Sequence, residues 1–440
     1  MSLFGAMNTA ISGLDAQSAA FGNISDNVAN SQTTGYKEVN TNFVDYLTTS
    51  TAAENDPGAV VAQPQYANNV QGTITQVNNP LGLAIAGQGF FAVSEQTGQV
   101  DNVPTFNPQQ FYTRAGDFQL NQTGYMVNSA GEYLNGWTID QATGIVNQNS
   151  LAPIQVTQTV YNPVATSNVI LSANLPATPA SGTATATSPI SSDIDVYDAL
   201  GTQHVVTLNW VQNAADDWVV SVSAPDAVGG PALGSAEVQF GALSTNPVPE
   251  GTIGQITNTT GTVTTAGYAA GTAAEMTFTA DFGSGAQTIN LNLGDYGGTS
   301  GITQYAGTQY NLEGLTQDGV PPGSYSGVTT QANGNIVVNY NNGQTRTIGQ
   351  VPIITFNSPD ALQRQDGQSF TATQGSGTPL AEQASTNGAG NLVTGSVESS
   401  NVDIATEFSK LIVAQQAYSA NAKMVTTAQA MLQTTIDMKQ

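Results

Sequence analysis

The 440-residue chain is bracketed by two stretches in which apolar residues return at every seventh position. Near the start, Met7, Leu14, Phe21 and Val28 fall on one line, with Phe4 and Ile11 on a companion line completed by Ser18 and Ser25. Near the end, Ile404, Leu411, Tyr418, Val425 and Leu432 form a line, and Phe408, Gln415, Ala422, Gln429 and Ile436 its companion. A period of 3.5 is what a helix shows when it buries one seam against another helix. No proline, lysine or arginine falls between Leu3 and Val28, and no proline follows Pro379. Two such helices at opposite ends predict that the termini meet and that everything between them is an insertion. Gly5, Gly13 and Gly22 each cost the first helix about 1 kcal/mol relative to alanine, which predicts a helix that orders mainly when packed. Asn401 or Asp403 is placed to cap the second helix, with Glu407 in its early turns near the positive end of the dipole.

Between the helices the pattern changes to that of short strands. Asn30-Ser31 and Thr33-Thr34-Gly35 read as the helix stop, with Gly35 suited to a positive φ. Residues 38–74 are polar, with Pro57-Gly58 and Pro64 as breakers, and predict an irregular connecting segment. Strand patterns begin near Leu81, and Asn135-Gly136 predicts a hairpin turn. Residues 172–191, rich in Ala, Thr, Ser and Pro, read as a linker or long loop. Val206, Leu208 and Trp210 alternate with polar residues and face Trp218, Val220 and Val222 across a turn. Met276, Phe278 and Ala280 face Ile289, Leu291 and Leu293 in the same way. Such alternation argues antiparallel sheets with one buried face. The fold class is therefore mixed but mainly β: a coiled-coil-like pair of terminal helices with nested antiparallel β domains inserted between them. The expected domains are a helical one (1–37 and 396–440), the connecting segment (38–74), an inner β domain (75–153 and 324–395) and an outer β domain (154–323).

Charge sets the outer domain apart. The chain carries 31 Asp and Glu against 7 Lys and Arg, and residues 154–322 hold 13 acidic residues and no lysine or arginine. Such a surface cannot neutralise phosphates, so nucleic acid is excluded as a partner and anionic lipid is disfavoured. No run approaches the ~20 apolar residues of a membrane span, so no membrane insertion is expected. No cleavable secretion signal is visible, and cysteine is absent. His204 is the single histidine, which excludes a multi-histidine metal site, and a structural or solvent-facing imidazole is expected there. Asp193, Asp195 and Asp198 lack the spacing of a calcium loop, and Gly87-Gln-Gly89 lacks the lysine and helix start of a phosphate loop. No catalytic, metal or cofactor-binding residue is assigned, and the chain is expected not to be an enzyme.

The run SGLDAQSAAFGNISDNVANSQTTGYK at 12–37 resembles the N-terminal signature of the bacterial flagellar axial proteins, which build rod, hook and hook-associated segments. The opening MSLFGAMNTAISGL is closer to the hook than to the rod members of that family. GQGFF at 87–91, YTRAGDF at 112–118, DVYDALGTQH at 195–204, NGQTRTIGQVPIITF at 342–356 and the block beginning NVDIATEFSKL at 401 resemble further family blocks. The resemblance marks Asn27, Asn30, Thr34, Gly35, Tyr36 and Lys37 as the motif after the first helix. It implies a self-assembling structural subunit of the hook, the flexible joint between motor and filament. The terminal helices would line an inner tube, the inner β domain a middle shell, and the acidic domain the outside. It implies an extracellular location reached by flagellar export. Partners would be further copies of the chain, the distal rod, the hook cap, the hook–filament junction proteins and the export apparatus. The assembly residues would be Phe4, Met7, Ile11, Leu14, Phe21 and Val28 on the first helix. On the second they would be Ile404, Phe408, Leu411, Tyr418, Ala422, Val425, Leu432 and Ile436. Another axial subunit, or an extracellular adhesin or surface-layer protein with a calcium-stabilised acidic domain, are the alternative readings.

Overall fold

The computed structural model describes residues 3–50, 55–101, 103–140, 143–243 and 246–438. Two long helices, α1 (Leu3–Ala29) and α2 (Ile404–Asp437), flank a chain otherwise built of strands. The chain divides into two compact units. Residues 1–158, 326–339 and 345–440 form the first, and residues 159–325 with 340–344 form the second.

In the first unit the helices pack antiparallel, with Asn27 against Glu407 and Phe21 against Tyr418. Much of the expected irregular segment at 38–74 is instead an antiparallel hairpin of Val39–Ser50 and Asn55–Tyr66. Pro64 sits within it, opposite Thr41. Both strands of a two-stranded ribbon are edges, where proline is tolerated, so its value as a breaker was lost here. The ribbon lies along α1: Asn23 Nδ2 donates to Thr41 Oγ1 at 2.8 Å, and Val60 N to Ser12 Oγ at 3.1 Å. Beyond it, an eleven-stranded sheet draws on segments from before and after the second unit in the sequence. Trp137 pairs with Gln350, and Tyr112 with Phe370. Phe90 anchors a core beside this sheet, edge-on to Phe356 at 6.0 Å and to Phe370 at 5.7 Å. Asn135-Gly136 makes no turn. Both residues lie inside the buried strand Tyr133–Ile139, where a Cβ at 136 would sit 2.7 Å from the Gln350 carbonyl oxygen. Glycine is there for close packing.

In the second unit a five-stranded antiparallel sheet and a six-stranded sheet bury their apolar faces in one core. Both expected strand pairs form, with Trp210 opposite Val220 and Phe278 opposite Ile289. The six-stranded sheet is not purely antiparallel. Its strand Asn168–Pro176 runs parallel to Ala286–Asp295 and to Ile302–Tyr305. The expected linker at 172–191 therefore begins inside a strand. Ala173 and Leu175 are fully buried, and small residues had masked the alternation. Irregular chain follows only after Pro176.

Glu132, in the first unit, is buried with neutral donors around it: Asn128 Nδ2 donates to its carboxylate at 2.8 Å. Burial raises its pKa from 4.5 to about 7; Glu95 and Asp117 add to the rise, while bonds from Asn128 and Ser369 oppose it. A carboxyl raised on folding stabilises fully below its unfolded value. That stability is lost as pH climbs from about 4.5 to about 7, because the unfolded chain gives up its proton first. Glu132→Gln is expected to match the wild type at pH 4 and to exceed it at pH 8 by on the order of 3 kcal/mol. Urea unfolding at the two pH values measures this; equal gains at both would place the effect elsewhere.

Candidate assembly interface

The helix pair carries two kinds of apolar surface. The buried line on α1 consists mostly of small residues, Ala10, Gly13, Ala16 and Ala20, ending in Ile24 and Asn27. On α2 the buried line is Glu407, Ala414 and Ala428, spaced by multiples of seven. Small side chains let the two backbones approach closely: a Cβ on Gly13 would come within 2.7 Å of Asn421 Nδ2. The large residues of the sequence stripes flank this line. Met7, Leu14, Phe21, Val28, Leu411, Ala422, Val425 and Leu432 are half-buried. Phe4 (65% exposed), Ile11, Ile404, Phe408 (53%), Tyr418 and Ile436 (56%) lie open. The Phe21 and Tyr418 rings meet at 6.2 Å, so the two stripes join along one flank of the pair.

Where the helices meet the sheet, the chain gathers its scarce cations. Glu398 is fully buried just before α2. One of its oxygens accepts from Lys37 Nζ at 2.6 Å and Gly72 N at 2.8 Å, and the other from Arg114 at 2.9 Å. Lys37 also donates to the Val70 carbonyl at 2.6 Å, and Arg114 to those of Ile85 and Gly87. Burial pushes both bases below their usual ranges, and Glu398 pulls each back. A second group joins the helices to the hairpin. Lys410 Nζ lies 2.6 Å from both Glu38 and Glu407 and 2.7 Å from Asn40 Oδ1. Burial alone would lower Lys410, but the bonds to Glu38 and Glu407 raise it. Arg364 stacks on the Tyr36 ring at 4.3 Å, and Tyr36 donates to Asn27 Oδ1 at 3.1 Å.

Family models match four stretches. They are the flagella basal body rod protein at 7–37, the flagellar hook protein FlgE/F/G D1 domain at 84–167, the flagellar basal body protein FlaE D2 domain at 166–320, and the flagellar basal body rod FlgEFG protein C-terminal at 393–438. The flagellar hook protein FlgE of Brucella abortus is 30% identical over 439 residues, spanning 100% of both chains. The chain belongs to the flagellar hook protein family. The hook protein of Salmonella typhimurium is 28% identical over 440 residues, covering 98% of this chain and 99% of its own. A crystal structure of the Helicobacter pylori hook protein FlgE2 aligns with a TM-score of 0.46 and 14% identity over 72% of this chain and 98% of its own.

In this hook subunit the motif after α1 forms the junction. Asn27, Gly35, Tyr36 and Lys37 are all buried. Asn27 Nδ2 donates to Val39 O and to Glu407 Oε2, each at 3.0 Å, while its Oδ1 accepts from Val39 N. Gly35 holds φ +70° and donates its N–H to the Glu398 carbonyl at 2.8 Å. Asn30 turns back on Asp26 O at 2.9 Å as part of the helix stop; Thr34 is half-buried and takes no part in the ion cluster. Asp403 is the cap of α2, accepting from Ala405 N at 2.9 Å, whereas Asn401 Oδ1 instead accepts from Glu38 N at 2.7 Å. Sequence reasoning missed Glu398 and Lys410, and it read Glu407 as a dipole charge rather than a buried partner. Arg114 lay inside a family block without a role. The available signal was scarcity: the chain has seven lysines and arginines against 31 acids.

In the second unit His204 is buried, stacked on Phe282 with ring centroids 4.1 Å apart and bonded through Nδ1 to Asp226. Asp193 accepts from Thr207 Oγ1 at 2.7 Å, and Asp198 from Thr202 N at 2.7 Å, so each is engaged in local strand and turn structure.

Glu398→Ala would leave Lys37 and Arg114 buried without their anion, a change that costs on the order of 3–5 kcal/mol. The first unit is expected to unfold at a clearly lower urea midpoint. An unchanged midpoint would mean that these three groups do not hold the junction.

Proposed function

We propose that the chain polymerises into the hook through its helix pair, and that the hook transmits motor torque while bending. The observation that carries this reading is the uncharged flank formed by the two stripes. On α1 it runs from Phe4 through Met7, Ile11, Leu14 and Phe21 to Val28; on α2 from Ile404 through Phe408, Leu411, Tyr418, Ala422, Val425 and Leu432 to Ile436. A monomer leaves much of it open to water, and an exposed apolar patch of that extent marks an interaction surface. Burying one leucine-sized residue there contributes roughly 1.5–3 kcal/mol, so a row of such residues gives lasting cohesion. In this reading the paired helices of successive copies line an inner tube through which later subunits are exported. The distal rod, hook cap and hook–filament junction proteins adjoin the polymer at its two ends. The chain works outside the cell and reaches that place by flagellar export. No catalytic step is assigned to it.

Leu411→Asp or Leu432→Asp is expected to abolish polymerisation while both β units keep their cooperative unfolding. Electron microscopy of cells carrying either variant checks this. Hooks of normal length and curvature would sink the assignment of the flank.

A further inference from the structure

The helix pair has a second apolar face, on the side away from the flank. There α1, α2 and the strand Val39–Ser50 enclose a groove of about 510 Å³, lined mainly by apolar groups including Ala20, Ile24, Phe43, Val413 and Ala417. Val413 is 65% exposed, and Phe43 also stands open to solvent. The charged groups in the lining, Glu407 and Lys410, satisfy each other at 2.6 Å. Heptad geometry separates this face from the flank. Phe408 and Leu411 lie to one side of the buried 407–414–428 line, and Lys410 and Val413 to the other. The same side of α2 continues from Ala417 through Met424, Met431 and Met438 at intervals of seven, and the three methionines are exposed.

We propose that this groove receives the uncharged flank of a second copy's helix pair, so that assembly joins two different faces of the same chain. The proposal rests on the assembly reading above and names the surface that the flank meets. Three features favour a second copy as occupant. The flank lacks charge along both helices, and the groove's own charges are already paired, so neither face asks the other for a counter-ion. The two faces lie on opposite sides of one helix pair, and a contact between unlike faces leaves a free groove and a free flank at each new end. Such heterologous contacts propagate into open helical arrays, whereas a contact between like faces closes at a dimer. The exposed methionine row that continues this side of α2 suits the same contact, because unbranched thioether side chains repack around a partner that shifts. A joint that bends asks for that adaptability.

The test uses the full chain with two substitutions at exposed positions, Phe408→Asp on the flank and Val413→Asp in the groove. Ala417→Trp, which fills the groove, serves as a second groove variant. Folding is checked by far-UV circular dichroism and melting temperature. Sedimentation velocity is then run under salting-out conditions in which the wild type polymerises. Each variant alone is expected to stay monomeric, and a one-to-one mixture of flank and groove variants to give dimers and nothing longer. The single intact flank and single intact groove can form one contact only. If both groove variants polymerise like the wild type, the groove assignment falls while the flank reading stands. If Phe408→Asp polymerises alone, the flank reading falls and the groove assignment with it. If Val413→Asp dimerises alone, like faces meet and the proposal is overturned. If the variants are folded and monomeric alone and their mixture is also monomeric, flank and groove do not meet and the proposal is again overturned.

Discussion

The carboxylate of Glu398 ties the first unit together. It lies in the strand leading into α2, yet its partners come from the turn after α1 and from the sheet, through Lys37 at 2.6 Å and Arg114 at 2.9 Å. Three segments far apart in sequence therefore share one ion cluster. Removing these charges from water costs several kcal/mol per ion, and their attraction roughly offsets that. The cluster adds little net stability over an apolar core. It supplies register instead, since the bases find an anion only when both termini are seated. The chain has only seven lysines and arginines, and Lys37, Arg114, Arg364 and Lys410 all serve this junction or the contacts beside it. Cations are spent where the helices must be aimed and are withheld from residues 154–322.

Register matters to the assembly we propose, because the helices leave their larger side chains half-buried or open. Within one chain the close contact runs through alanines, Gly13 and the Asn27–Glu407 bond, while the bulky stripe residues stay half-buried or open. A seam of small residues holds two helices close but hides little apolar area. In the proposed assembly the remaining area is what neighbouring copies cover, and the ion cluster ties the helices that carry it to the sheet.

Sequence alone revealed this architecture unevenly. Both helices, the Trp210–Trp218 hairpin and the Phe278–Ile289 hairpin were legible, because long stripes and strict alternation report burial directly. The stripes marked the flank, however, and not the seam between the helices, since alanine and glycine carry no periodic signal that a hydrophobic pattern detects. The hairpin at 39–66 escaped because a lone ribbon tolerates proline and its strands are half polar. The parallel strand at 168–176 escaped because alternation does not give direction, which only its distant partners set. The ion cluster escaped for the same reason: Lys37 and Glu398 are 361 positions apart, and nothing local links them.

In the proposed assembly, the acidic residues 154–322 and the uncharged helix flank make contacts of different kinds. Residues 154–322 carry 13 acidic residues and no lysine or arginine, so wherever two copies of such a surface approach they repel, and the repulsion is screened beyond about 8 Å at physiological salt. Polar, like-charged surfaces meet without strong adhesion, whereas the uncharged helix flank gains with every apolar residue it covers. A polymer that bends needs this division. In the proposed assembly the contacts that must survive each turn of the motor are the apolar ones of the helix flank, which the buried junction ties to the sheet. Contacts that lengthen on one side and shorten on the other must be cheap to break. Adding lysines to the acidic unit would replace that repulsion with ion pairs between copies and stiffen the joint.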